Sequence, residues 1–149
     1  MPVESKIIKE ALDRNLPFVR PNTVVKQSLS KIIKPMLSSG IPIEGFLHQV
    51  TKSASGLALE MLIFDRVICW DIVVSNNKLD YCNIFIKDIK ACLLSISPIL
   101  NAESQEIIDH KINLKIFYGE KSHFNYNSNI TLFDEILAVK DKLNNIIRG

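Results

Sequence analysis

The fold class is decided by the stretch GLALEMLIFDRVICWDIVV, which occupies positions 56–74. Two runs rich in aliphatic, β-branched and aromatic residues, Leu57–Phe64 and Val67–Val74, lie on either side of the pair Asp65-Arg66. Runs of this length and composition are typical of β-strands, and a short polar pair between them indicates a tight reversal. The stretch therefore predicts two consecutive antiparallel strands.

Further strands are predicted on both sides of this pair. Ile43–Thr51 precedes it across the small polar turn Lys52–Gly56. Asp80–Ile86 follows it across the turn Ser75–Lys78, in which asparagine tolerates left-handed backbone geometry. The four runs together predict an antiparallel meander.

The region from residue 87 to residue 127 is more mixed. Residues 87–97 fit either a helix or a strand, while Pro98–Asp109 is interpreted as a connecting segment. Apolar and polar residues then alternate over Ile112–Tyr118, which is typical of a strand with one solvent-exposed face. The turn Gly119–Lys121 and a second alternating run, Ser122–Tyr126, complete a predicted hairpin.

Helices are predicted at both ends of the chain. The first begins at the N-cap Ser5 and ends at Pro17, and the second begins near Asn22 or Thr23 and ends at Pro35–Gly40. A longer amphipathic helix begins near Thr131. Its apolar stripe consists of Leu132, Phe133, Ile136, Leu137, Leu143, Ile146 and Ile147.

These elements predict a single α+β domain over residues 1–149, a length typical of one domain. Residues 1–40 form its helical N-terminal part, and residues 41–127 form the antiparallel sheet. Residues 128–149 form a closing amphipathic helix that packs on the sheet.

The order of a strand meander, a hairpin and one C-terminal amphipathic helix resembles the pleckstrin-homology-like and GRAM-like superfold. Within the resemblance, residues 56–68 are similar to the strand pair of those modules that runs from a glycine to an arginine turn. The hairpin Ile112–Tyr126 and the helix Thr131–Ile147 are similar to their final unit. The resemblance covers the chain from Ile41 onward and implies a binding module. The threonine that usually precedes the arginine turn is absent, and the N-terminal helices are additional.

Composition excludes several classes of function. A formal net charge of +2 is too small for nonspecific nucleic-acid binding, and no apolar run is long enough to span a membrane. The three cysteines cannot all pair within one chain, and no secretory signal precedes them, so we expect a reducing cytoplasm. A membrane surface is kept as an alternative partner because the second helix carries Lys26, Lys31 and Lys34 on one face.

No catalytic residue, metal site or cofactor is predicted. The chain has neither a phosphate-binding glycine loop nor a Cys-x-x-Cys unit, and its three histidines lack the i,i+4 spacing of a zinc site. We interpret His48, His110 and His123 as surface or strand residues. An enzyme whose site is assembled from scattered residues stays as an alternative, because catalytic groups need not be neighbours in sequence.

One candidate binding site follows from the predicted topology. Alternate loops of an antiparallel meander lie at the same end of the sheet, so the turns 52–56 and 75–78 are expected to lie together. Two cations and short polar side chains at this end suit an anionic headgroup or an acidic partner. The candidate residues are Lys52, Ser53, Ser55, Asn76, Asn77 and Lys78.

The predicted function is a non-catalytic module that binds another protein, as a small inhibitor, an immunity protein or an adaptor. The support is a complete architecture without a reactive group of residues. Binding of an anionic ligand or a lipid headgroup at the two-loop end is the alternative. In pleckstrin-homology-like modules that bind phosphoinositides, the first loop carries a dense basic cluster, to which only Lys52 corresponds here.

Overall fold

A computed structural model describes residues 2–53, 56–120 and 122–149 of the chain. Over these residues the fold is α+β, as predicted, with three α-helices and two antiparallel sheets. The chain divides into two compact units, Met1–Phe85 and Ile86–Gly149. The single-domain interpretation of residues 1–149 stays a prediction, and each unit is described by itself.

The first unit places two helices before a four-stranded meander of order β1-β2-β3-β4. Its elements are α1 (Ser5–Val19), α2 (Thr23–Ser38), β1 (Gly45–Ser53), β2 (Gly56–Phe64), β3 (Ile68–Val74) and β4 (Leu79–Phe85). All three pairings in the sheet are antiparallel. The four predicted strands are thereby confirmed, with ends that differ by one or two residues.

The helices cover one face of this sheet. Alternate side chains of β2 and β3 point to that face because successive residues of a strand face opposite sides. They form one core with the apolar stripes of α1 and α2, whose buried members are Ile8, Leu12, Val19, Val25, Leu29, Ile33, Met36, Leu59, Met61, Ile63, Trp70, Ile72 and Val74. Burial of this apolar surface holds the helices on the sheet.

The predicted end of α1 at Pro17 is wrong, whereas the predicted end of α2 between Pro35 and Gly40 is confirmed, because α2 ends at Ser38. Pro17 lies inside α1 and Pro35 lies inside α2. A proline interrupts one helical hydrogen bond at a cost of about 3 kcal/mol. Burial of Val19 and Met36 beyond the prolines offsets this cost, so both helices continue. α1 ends instead at Val19, and its C-cap Arg20 adopts the left-handed conformation and donates its N–H to the Leu16 carbonyl at 2.8 Å.

The helix starts differ in how they are capped. Ser5 is the first residue of α1 rather than its N-cap, which is Glu4 without a side-chain capping bond. α2 begins at Thr23, as predicted, and the Asn22 side chain accepts a hydrogen bond from the Val25 N–H at 2.9 Å. This bond satisfies one of the amide donors that a helix start leaves without an intrahelical acceptor.

The reversal between β2 and β3 is made by Asp65, as its position predicted. Its side chain is almost fully buried and accepts hydrogen bonds from the Val67 and Ile68 amides at 2.6 and 2.7 Å. The carboxylate thus satisfies two backbone donors of a turn that two buried strands enclose.

The second unit contains a three-stranded antiparallel sheet of order β5-β6-β7 and a C-terminal helix. Its strands are β5 (Ala91–Leu100), β6 (Ile107–Phe117) and β7 (His123–Asn129), and its helix is α3 (Phe133–Arg148). Short 3-10 turns occupy Ile86–Asp88 and Ile130–Leu132. The ambiguous residues 87–97 therefore lie mostly in a strand.

The connecting segment predicted over Pro98–Asp109 was wrong. Its two ends belong to β5 and β6, which pair as far as Leu100 and Ile107. Pro98 is compatible with a strand here because β5 has a neighbour on one side only. A proline on an edge strand can direct its missing N–H away from the ladder.

α3 packs on this sheet and confirms the closing helix within the second unit. It contacts β5 and β6, and its residues Ile136 and Leu143 are fully buried. The sheet contributes Ile112, Leu114 and Ile116 of β6, which are also buried.

Truncation of Leu143 to alanine should lower the free energy of unfolding by about 2–5 kcal/mol, because a buried leucine is replaced by a cavity. Leu100→Ala is the matched control, since Leu100 is 44% exposed. Urea denaturation followed by circular dichroism measures both variants. Equal unfolding midpoints for the two would contradict the packing of α3.

Gly45 is required by close packing rather than by its backbone conformation. A Cβ at this position would lie 2.2 Å from two ring carbons of Phe64, which is itself fully buried. Gly45→Ala should therefore destabilise the fold by about 1–3 kcal/mol, the usual cost of overpacking. At the control position Gly119 the nearest atom would be 3.6 Å away, so Gly119→Ala should leave the melting temperature nearly unchanged. A melting temperature unaffected by Gly45→Ala would contradict the contact.

Candidate functional site

The two predicted loops do lie at the same end of the first sheet. Ser53 pairs with Gly56 at the tip of the β1–β2 hairpin, and Val74 pairs with Leu79 at the start of the β3–β4 turn. Val74 also pairs with Leu59, so β2 extends three residues beyond the end of β3. The β1–β2 ladder therefore continues further towards this end of the sheet than the β3–β4 ladder does.

The two candidate cations are separated across the sheet. Lys52 is on β1 and Lys78 precedes β4, and these strands are the two edges of the sheet. Three strand spacings correspond to about 14 Å between the backbones of β1 and β4. Ser55 lies outside the described residues. The two-loop anion site stays a prediction, and its two lysines, Lys52 and Lys78, lie at opposite edges of the sheet.

The loop 75–78 has structural partners. The Asn76 side chain donates to the Arg20 carbonyl, and the Asn76 carbonyl accepts from the Asn22 N–H at 2.8 Å. Lys78 Nζ lies 3.5 Å from Asp80 Oδ2. These contacts tie the loop to the α1–α2 connection and favour a structural role for it, while Asn77 is exposed.

Three carboxylates share the face of the first sheet opposite α1 and α2. Glu60 on β2 and Asp80 on β4 both pair with Val73 on β3. Asp71 is two residues from Val73 on β3 and therefore lies on the same face. Burial raises the pKa of Asp71 from 3.8 to about 6, and repulsion from Glu60 and then Asp80 adds to the shift. The group keeps its proton in the fold under mildly acidic conditions.

No group of His, Cys, Asp and Glu side chains in the described parts of the chain could hold a metal ion. Among the described residues none of the three cysteines forms a disulfide, and Cys69 is buried, Cys82 exposed and Cys92 intermediate. Burial raises the pKa of the Cys92 thiol, partly countered by Lys140. A raised pKa lowers the fraction of thiolate, which is the nucleophilic form.

A groove of about 680 Å³ lies between α1 and α2. Its apolar lining residues are Leu12, Leu16, Leu29, Ile33 and Leu37. Its charged lining residues are Lys9, Lys26, Lys34 and Asp13. Two of the three lysines that the sequence assigned to one outer helix face, Lys26 and Lys34, therefore border this groove.

The second unit carries a projecting β-hairpin. Pairing between β6 and β7 starts at Lys111, opposite Asn129, the last residue of β7. Residues 107–110 of β6 therefore lie beyond the end of β7, in the part of β6 that has only β5 beside it. We call residues 97–110 the arm. With about 3.3 Å per residue, its strands extend roughly 13 Å past β7.

The arm exposes apolar side chains. Ile107 and Ile108 are 58% and 63% exposed, and Ile99 and Leu100 are 39% and 44% exposed. The register shifts next to Leu100, which leaves Ile108 as the extra residue of a bulge. Contiguous exposed apolar surface on a folded protein commonly marks an interaction site.

Hydrogen bonds within the chain order the tip of the arm. The Asn101 N–H donates to the Glu106 carbonyl at 2.8 Å, and the Gln105 N–H donates to the Asn101 carbonyl at 2.9 Å. The Asn101 side chain accepts from the amides of Glu103 and Ser104. Local satisfaction of these groups fixes the turn without a partner.

Comparison with protein-family models, curated proteins and solved structures returned no match. None of the described helices is long and apolar enough to cross a membrane.

Sequence reasoning missed the arm and the groove. The arm was hidden because Pro98 and the bulge at Ile108 interrupt strict alternation, which is the sequence signal of a strand. One signal was available, since residues 97–110 hold two adjacent isoleucines and three carboxylates but no lysine or arginine. The groove depends on how two helices pack and has no sequence signal of its own.

The free energy of unfolding of Asp71→Asn, measured relative to that of the wild type, should increase as the pH is raised from 4 to 8. The unfolded chain ionises Asp71 near its ordinary value of 3.8, whereas the fold resists ionisation up to about pH 6. The wild type therefore loses stability over this interval and the variant does not. Partial exposure screens the effect, so we expect a relative gain of about 1–2 kcal/mol at pH 8.

Urea denaturation at several pH values measures this gain. Asp13→Asn, on the exposed surface of α1, is the matched control for loss of one carboxylate. The raised pKa of Asp71 would be contradicted if the free energy of unfolding of Asp71→Asn, relative to the wild type, changed with pH no more than that of Asp13→Asn.

Proposed function

We propose that the chain is a non-catalytic protein-binding module that contacts its partner through the arm. The observation that carries the proposal is the exposed pair Ile107 and Ile108 on an ordered projecting hairpin. Burial of one isoleucine side chain in an interface contributes about 1.5–3 kcal/mol. An arm whose turn is already ordered loses little conformational entropy on binding.

The charge of the arm defines the chemistry of the partner. Glu103, Glu106 and Asp109 are exposed, and residues 97–110 contain no lysine or arginine. The complementary surface is an apolar cleft with basic residues at its rim. Binding of this kind weakens with salt, because exposed charges are screened within about 10 Å at 0.1 M.

An inhibitor, an immunity protein or an adaptor all act through such a surface. A meander, a later hairpin and a C-terminal helix are present in the order on which the pleckstrin-homology-like resemblance depends, and this supports the resemblance as part of the proposal. Three cysteines without a disulfide among the described residues support a reducing cytoplasm as the proposed location.

The test is the affinity for a partner that co-purifies with the tagged wild-type chain. Ile107→Lys combined with Ile108→Lys should weaken binding about tenfold or more, since 1.4 kcal/mol corresponds to a factor of ten. Isothermal titration with the purified partner measures the dissociation constant.

Ile7→Lys combined with Val24→Lys is the matched control, because these residues are 48% and 70% exposed on α1 and α2. The control should bind as the wild type does. Undiminished affinity of the arm variant, with its unfolding midpoint preserved, overturns the proposal, and so does the absence of any specific partner.

A further inference from the structure

The arm and the α1–α2 groove are complementary surfaces of the same chain. We propose that the arm of one copy docks in the groove of a second copy, so that the chain assembles with itself. This inference rests on the arm being the binding surface, as proposed above, and names a second copy as its partner.

Charge is the first argument for the second copy. Three carboxylates and no lysine or arginine lie on the arm, whereas three lysines and one aspartate lie along the groove. The chain as a whole has a net charge of only +2. The two surfaces therefore carry opposite excess charge, and such complementarity favours the correct encounter of two surfaces and sets their register.

Apolar surface is the second argument. The groove offers leucine and isoleucine side chains, and the bulge presents the neighbouring side chains Ile107 and Ile108. Its volume of about 680 Å³ lies within the range of roughly 300–1,000 Å³ for clefts that enclose a ligand. Docking would remove the most exposed isoleucines of the arm from water.

Length is the third argument. α1 and α2 contain 15 and 16 residues, so each is about 23 Å long. The arm projects roughly 13 Å beyond β7, a length that two such helices can accommodate side by side. Reciprocal exchange of arms closes a pair with two identical contacts, while unreciprocated docking extends into a chain of copies.

Charge reversal tests the proposal on the full chain. Glu103→Lys with Glu106→Lys reverses the arm, and Lys26→Glu with Lys34→Glu reverses the groove. Each double variant alone should weaken self-association about tenfold or more, measured by sedimentation velocity over the micromolar range. An equimolar mixture of the two variants should restore assembly, because the reversed arm then meets a reversed groove.

Lys31→Glu with Lys52→Glu is the matched control, since both lysines are exposed and neither lines the groove. It should assemble as the wild type does, and wild-type assembly should weaken as salt increases. A monomeric wild type, or a mixture that fails to restore assembly, overturns the proposal.

The failures of the two proposals are distinguishable. If the wild type is monomeric and the Ile107→Lys/Ile108→Lys variant loses another protein, the second copy is the wrong occupant and the arm remains the binding surface. If the wild type assembles and this variant assembles equally well, the arm is not the contact between copies, and the proposed function falls as well only if the variant also keeps its affinity for a co-purified partner. If groove reversal releases a different protein from a monomeric chain, the groove belongs to that protein.

Discussion

The β5–β6 ladder is longer than β7, and the proposed binding surface depends on this mismatch. Where all three strands are present, α3 packs on the sheet and the even-numbered residues Ile112, Leu114 and Ile116 are buried. Beyond Lys111 only two strands remain, and the apolar side chains are exposed. The hydrogen bonds between β5 and β6 thus hold these apolar residues in an ordered strand although their side chains are exposed to water.

Charges of opposite sign are concentrated on different surfaces of the chain. The net charge of the chain is small, yet carboxylates collect on the arm and lysines along the α1–α2 groove. Both are suited to recognition, in which an apolar contact supplies affinity and the flanking charges select its orientation.

Sequence patterns predicted elements well where periodicity was clear. The strand pair at 57–74 and the start of α2 near Asn22 or Thr23 were anticipated because they depend on neighbours in sequence. The predicted end of α1 at Pro17 was wrong, since tertiary burial of Val19 outweighs a local backbone penalty. The two-loop site was predicted from topology alone. Topology places both loops at one end of the sheet, but it determines neither how far each strand extends nor which residues each loop contacts.

The sequence by itself determined the α+β class, the four-strand meander and the amphipathic C-terminal helix, because alternation and helical spacing are properties of adjacent residues. Only the tertiary structure decided that residues 97–110 form a projecting hairpin and that two helices leave a groove between them. Relative strand length, register and helix packing depend on which distant residues meet. That information is distributed over the whole chain and is not present in any one stretch.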